Sequence, residues 1–141
     1  MENATERLVK YPCVLLVDEE PGLSRDLNEW LAGEPVDLVQ VARFAEAVRV
    51  VRERKVLLCV LDADGCPLPI TEAISILRGL DPAIAIVVSA ARNTAELEKE
   101  IRAQKVFYYH VKGFGPSDLA LAVKSAIGRS PGSSPQHKEA E

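Results

Sequence analysis

The run VLLCVLDADGCPLP, residues 56–69, joins six apolar residues to two carboxylates one residue apart, Asp62 and Asp64. An uninterrupted apolar stretch closed by Gly and Pro reads as a strand buried on both faces, the habit of a parallel sheet. Four other runs share that character: CVLLV (13–17), VDLVQV (36–41), AIAIVV (83–88) and VFYYHV (106–111). Helical periodicity separates them. Leu23, Leu27, Trp30 and Leu31 recur on one face, then Phe44, Ala47, Val48 and Val51, then Ile70, Ala73, Ile74 and Leu77. A fourth helix is expected to open at Asn93 as cap with Glu96 three residues on, and a fifth near Pro116, carrying Leu119, Ala122 and Val123. Strand followed by helix, five times over, predicts a doubly wound α/β fold: parallel strands, right-handed crossovers and helices on both faces.

The 141 residues fit one domain, expected over 12–128, with an N-terminal extension (1–11) and a flexible polar tail (129–141). A formal net charge of -4 and the lack of clustered Lys and Arg argue against direct nucleic acid binding. The uncharged run Ala83 to Ala91 is too short to span a bilayer, and the N-terminus lacks the apolar stretch of a signal peptide, so a cytoplasmic protein without membrane attachment is expected. Cys13, Cys59 and Cys66 show neither metal-ligand nor disulfide spacing; the first two read as buried small hydrophobes. His110, inside a strand-like run, reads as a packing residue.

In a doubly wound fold, ligands collect beyond the carboxyl ends of the strands. The polar residues there are Asp18, Glu19 and Glu20 after the first strand, Asp62 and Asp64 after the third, Ser89 after the fourth and Lys112 after the fifth. Carboxylates gathered at one edge repel and raise one another's pKa unless a cation neutralises them. Oxygen-only ligands suit Mg²⁺, and a Ser hydroxyl with a Lys ammonium suits a phosphoryl group.

VLLVDEEPGL (14–23), VLDAD (60–64), IVVSA (86–90) and YYHVKGF (108–114), in this order, resemble the receiver domain of bacterial two-component response regulators, over about residues 12–128. The resemblance implies a flavodoxin-like five-stranded sheet of order 2-1-3-4-5. It implies that Asp62 is the phosphoacceptor, and that Asp18 and Glu19 hold Mg²⁺ together with Asp62 and the backbone carbonyl of Asp64, whose side chain has no required role. Ser89 takes the place of the switch hydroxyl, Tyr109 of the switch aromatic and Lys112 of the phosphate-binding lysine. A histidine kinase or phosphotransfer protein would supply the phosphoryl group. The face made by the fourth helix, fifth strand and fifth helix would meet partners or a second copy as a homodimer. Such a chain is a switch, no enzyme beyond its own phosphorylation and dephosphorylation. The sequence departs from the family pattern in Gly65 and Cys66, where Met-Pro is usual, and in Gly113, where a Pro follows the lysine.

Two other readings compete. D-A-D-G after a strand resembles the signature of haloacid-dehalogenase-type phosphatases, in which Asp62 would be nucleophile and Asp64 general acid, but the later acidic pair of that family has no counterpart after Lys112. The departures at Gly65, Cys66 and Gly113 also suit a receiver-like module that binds its partner without phosphorylation.

Overall fold

A computed structural model describes residues 11–91, 94–113 and 117–128; the expected Asn93 cap, Pro116, the N-terminal extension up to residue 10 and the tail from residue 129 lie outside them. The chain alternates β1 (Cys13–Val17), α1 (Pro21–Trp30), β2 (Asp37–Val41), α2 (Phe44–Glu53), β3 (Val56–Asp62), α3 (Ile70–Leu80), β4 (Ala85–Ala90), α4 (Ala95–Ala103), β5 (Tyr108–Val111) and α5 (Ser117–Ile127). All strand pairs are parallel and the order is β2-β1-β3-β4-β5, the expected doubly wound flavodoxin-like arrangement. The chain starts in β1, moves one way to β2 and then back past β1 to β3. The carboxyl ends of β1 and β3 therefore flank the switch point at which such folds bind ligands.

Because side chains alternate across a strand, the apolar runs feed two cores. Leu15 and Val17 of β1 join Cys59 and Leu61 of β3 under α2, α3 and α4, through Phe44, Ala47, Ile74, Leu77 and Ile101. Val14 and Leu16 join Leu58 and Val60 on the other face, closed by Leu27 of α1 and by Leu119 and Val123 of α5. A bulge sets this phase in β3: Cys13 pairs with Val56 but Val14 with Leu58, so Leu57 is the extra residue.

Several expectations need correction. Trp30 does not share the buried stripe of α1; it is 46% exposed, whereas Leu27 and Leu31 are buried. The cap of α4 is Thr94, whose Oγ accepts the Leu97 N–H at 3.1 Å, one residue beyond the expected Asn93. β5 begins at Tyr108 instead of residue 106. β4 covers Ala85–Ala90 instead of 83–88: the Ile84 N–H bonds back to the Asp81 carbonyl at 3.1 Å in the turn after α3, while the ladder with β3 runs on until Asp62 meets Ser89. Ser89 is thus inside a strand, where its neighbours are set by register.

Beyond the sheet, Arg78 of α3 donates to the carbonyls of Gln104 and Lys105, covering the carboxyl end of α4 where Lys105 turns with φ +57. Burial raises the Cys13 thiol pKa to about 11 and also pushes Cys59 up, while Cys66 is only half-buried. A thiolate-selective reagent at neutral pH should therefore modify Cys66 in the folded protein and reach the other two only in denaturant, as peptide mass mapping would read. Leu15→Ala should cost about 2–5 kcal/mol by urea unfolding, whereas Trp30→Ala should stay under about 1 kcal/mol.

Candidate functional site

At the carboxyl edge of the sheet a cleft of ≈ 660 Å³ is lined by Asp18, Glu19, Asp62, Asp64, His110 and Lys112, among others. Each arrives there through backbone geometry. Asp18 continues β1: its N–H donates to the Val41 carbonyl at 3.0 Å and its own carbonyl accepts the Gln40 side chain of β2. Its carboxylate folds back onto the Glu20 N–H at 2.9 Å, a local Asx turn that starts the descent into α1. Asp18 is buried, and burial raises its pKa; the Glu20 N–H opposes this, the nearby Asp62 charge adds to it and Lys112 relieves it. Glu19 is exposed on the rim.

Asp62 is the last residue of β3, and its Oδ1 accepts two hydrogen bonds, from the Asp64 N–H at 3.1 Å and from Lys112 Nζ at 2.6 Å. Lys112 reaches it because the ladder of β4 and β5 continues one step, the Lys112 N–H donating to the Ala90 carbonyl at 2.8 Å. The next residue, Gly113, turns with φ +100, a conformation that L side chains rarely adopt, which accounts for Gly there. Gly65 sits in tight space for a different reason: a Cβ on it would stand 3.2 Å from Asp62 Oδ2, so that carboxylate would have to give by a few tenths of an ångström.

Asp64 has a side-chain part that the sequence did not suggest. Its Oδ2 accepts the Ala91 N–H at 2.8 Å and lies 3.1 Å from Lys112 Nζ, so it ties the loop after β3 to the loop after β4 and gives the lysine a second carboxylate. Burial pulls the Lys112 pKa down, but the hydrogen bonds to Asp62 and Asp64 outweigh it and hold the ammonium above the usual lysine range. Ser89 stands in register with Asp62, fully buried, and its Oγ has no hydrogen-bond partner among the described residues.

Tyr109 lies elsewhere. Register pairs it with Val88, and it packs in the core beneath α4 with the Arg102 guanidinium 5.9 Å from its ring centroid. The partner of Ser89 on β5 is His110, which sequence reasoning assigned to packing. His110 is 3% exposed yet lines the cleft, and its Nδ1 is 3.0 Å from Asp118 Oδ2 in the first turn of α5. The Tyr108 hydroxyl donates to the same oxygen at 3.0 Å. The signal was present: Tyr108, His110 and Lys112 alternate, so a lysine on the cleft side places the histidine one step below it.

Among the described residues no group of three or more His, Cys, Asp or Glu side chains is arranged to hold a metal ion. Asp18 and Asp62 do share the cleft, and in both the hydrogen-bonded oxygen is Oδ1. Two carboxylates match the donor set of Mg²⁺, which takes one or two and fills its other positions with waters and phosphate oxygens. No described helix is long and apolar enough to cross a membrane.

No family profile matches the sequence and no curated protein matches it significantly. Solved structures do. The non-phosphorylated HemR receiver domain from Leptospira biflexa superposes with a TM-score of 0.73 at 18% identity, over 84% of this chain and 96% of that one. A CheY-like response regulator receiver domain protein from Methanospirillum hungatei gives 0.72 at 17% identity, over 83% and 94%. The chain has the receiver-domain fold. The chemotaxis response regulator CheY4 of Vibrio cholerae is similar in the same way, with a TM-score of 0.71 at 17% identity, over 83% and 99%.

Asp118 makes this edge sensitive to acid. Burial raises its pKa, but the hydrogen bonds from His110 and Tyr108 outweigh that and leave it below the usual carboxylate range. A depressed folded pKa means the contribution is complete above about pH 4, the unfolded carboxylate value, and fades as pH falls through the folded one. The stability difference between the native protein and Asp118→Asn, from urea midpoints, should therefore be constant near neutrality and shrink below about pH 4.

Proposed function

We propose that this chain is a phosphoacceptor signalling switch in which Asp62 takes a phosphoryl group from a histidine kinase or phosphotransfer partner. The observation that carries the reading is the Lys112 ammonium 2.6 Å from Asp62 Oδ1, beside a buried Ser89 hydroxyl with no hydrogen-bond partner among the described residues. A buried hydroxyl without a partner costs free energy, and an acceptor brought into the cleft relieves it.

The chemistry proceeds from these groups. An Asp62 carboxylate oxygen attacks the donor phosphorus. The bond from phosphorus to the donor breaks, and the leaving group departs with the electron pair. A carboxylate is a weak nucleophile, so positioning and charge neutralisation supply most of the acceleration. Asp18, Asp62 and the rim residue Glu19, with the Asp64 backbone carbonyl, would hold Mg²⁺. That ion would neutralise the incoming phosphoryl oxygens and the crowded carboxylates. Lys112 transfers from Asp62 Oδ1 to a phosphoryl oxygen, while Asp64, fixed by the Ala91 N–H, keeps its ammonium from swinging into solvent. The product brings about two negative charges and new acceptor oxygens, to which Ser89 donates. The face of α4, β5 and α5 is the surface a partner or second copy would read.

The acidic pair at Asp62 and Asp64 also suits phosphatase chemistry, since Asp64 has the side-chain oxygen a general acid needs. One experiment separates the readings: incubation with acetyl phosphate, followed by intact mass. A single added phosphoryl group is expected, only with Mg²⁺ present, abolished by Asp62→Asn. Asp64→Asn should still be labelled, more slowly because Lys112 is less firmly held, whereas a phosphatase would lose turnover of phosphate esters. No adduct at any Mg²⁺ concentration, with partner binding intact in Asp62→Asn, would favour a constitutive binding module.

A further inference from the structure

Three residues stand in one row across the carboxyl edge of the sheet: Asp62 pairs with Ser89 and Ser89 with His110. Adjacent strands lie about 4.8 Å apart, so the Asp62 and His110 backbones are separated by about 10 Å. The cleft that both residues line, ≈ 660 Å³ in volume, has room for a phosphoryl group and a water. Ser89 lies beneath that gap, fully buried.

His110 is held in one orientation. Its Nδ1 faces Asp118 Oδ2 at 3.0 Å, and a carboxylate ionised down to low pH is acceptor-only, so Nδ1 must carry the proton and donate it. In the neutral ring the lone pair is then on Nε2. Since the Nδ1 edge of the ring is committed to α5, Nε2 is the nitrogen left for the cleft that His110 lines. A carboxylate that fixes the tautomer and orientation of an imidazole is the arrangement that makes a histidine a general base. The Tyr108 hydroxyl, bonded to the same Asp118 oxygen at 3.0 Å, braces that carboxylate from β5. Of the other groups that line the cleft, Asp18, Glu19 and Asp62 belong to the proposed acceptor and metal set, Asp64 is engaged by the Ala91 N–H and Lys112, and Lys112 carries its protons already; Glu20 and Asp26 are the carboxylates left, and neither stands in the row that Asp62, Ser89 and His110 form.

We infer that His110, positioned by Asp118, is a general base that activates water to hydrolyse the phosphoryl group on Asp62, so that the switch carries its own timer. The inference rests on Asp62 being the acceptor. In the step, a water oxygen bonds to phosphorus, the bond from phosphorus to the Asp62 oxygen breaks, and its electron pair returns to the carboxylate. The proton lost by the water passes to Nε2 and then to solvent, and inorganic phosphate leaves. His110 is the catalytic residue of this step, and Asp118 is a positioning residue.

The test follows the lifetime of the adduct. Protein labelled with acetyl phosphate and Mg²⁺ is freed of donor by rapid desalting, and the decay of the phosphorylated mass is timed for the native chain, His110→Ala, His110→Gln and Asp118→Asn. His110→Ala should lengthen the half-life by about 10²-fold, the low end for a general base, and added imidazole should shorten it again, a rescue that loss of packing alone would not allow. His110→Gln preserves volume and should behave as His110→Ala without rescue, which keeps the test valid where the alanine variant folds poorly. Asp118→Asn should lengthen the half-life about tenfold and move the proton from Nδ1 towards Nε2 in ¹⁵N NMR of the unphosphorylated protein. Adducts with native half-lives in His110→Ala, His110→Gln and Asp118→Asn would overturn the inference while leaving Asp62 as acceptor. A proton on Nε2 in the native protein would overturn it without any phosphorylation. No adduct in the native chain would overturn the acceptor reading and this inference with it.

Discussion

Among the described residues, the arrangement at the carboxyl edge depends on one cation. Asp18 and Asp62 are both buried there, Asp64 is close by, and like charges at such spacing in a partly desolvated site repel strongly. The Lys112 ammonium, 2.6 Å from Asp62 and 3.1 Å from Asp64, allows these carboxylates to coexist in the folded chain. The pair is only partly desolvated, because about a third of the lysine side chain remains exposed, so it organises the edge more than it stabilises the fold. An edge that is balanced by a side-chain ammonium can be rebalanced when a new anion arrives.

Stability comes from the sheet, which works as a partition. Its two faces feed separate cores, with α2, α3 and α4 over one and α1 and α5 over the other. The residues in register at the ends of β3, β4 and β5, namely Asp62, Ser89 and His110, project towards the α1 and α5 side, whereas Tyr109 projects into the other core. In the proposed switch, Ser89, His110 and Asp118 would stand between a group placed on Asp62 and α5. The resemblance to receiver domains suggested a different route, from Ser89 through Tyr109 to the face of α4, β5 and α5.

His110 shows how far a single residue changes its meaning with its neighbours. As a histidine in an apolar run it is a packing residue, and its 3% exposure agrees with that. Register places it beside Ser89, and α5 supplies Asp118 to its Nδ1, so the same buried ring becomes a group oriented by a carboxylate on the wall of the cleft.

The amino-acid pattern alone determined the alternation of strands and helices, because apolar runs and 3.6-residue stripes are consequences of which faces must leave water. It also located Asp18, Asp62, Ser89 and Lys112 at the edge, since polar residues at the ends of buried strands have few other uses. It did not place Trp30, whose spacing matched the buried stripe although no described element covers that side of α1. Nor did it locate the start of β4, because apolarity does not say where a backbone ladder begins, and Ile84 turns back to Asp81 instead. Tertiary structure alone decided which side chains become neighbours across strands. The second partner of Lys112, the pairing of Ser89 with His110, and the approach of Asp118 depend on register between strands far apart in sequence and on where α5 packs. Local patterns carry no term for either, because a parallel pair is aligned by the crossover between its strands and by the packing of that crossover on the sheet.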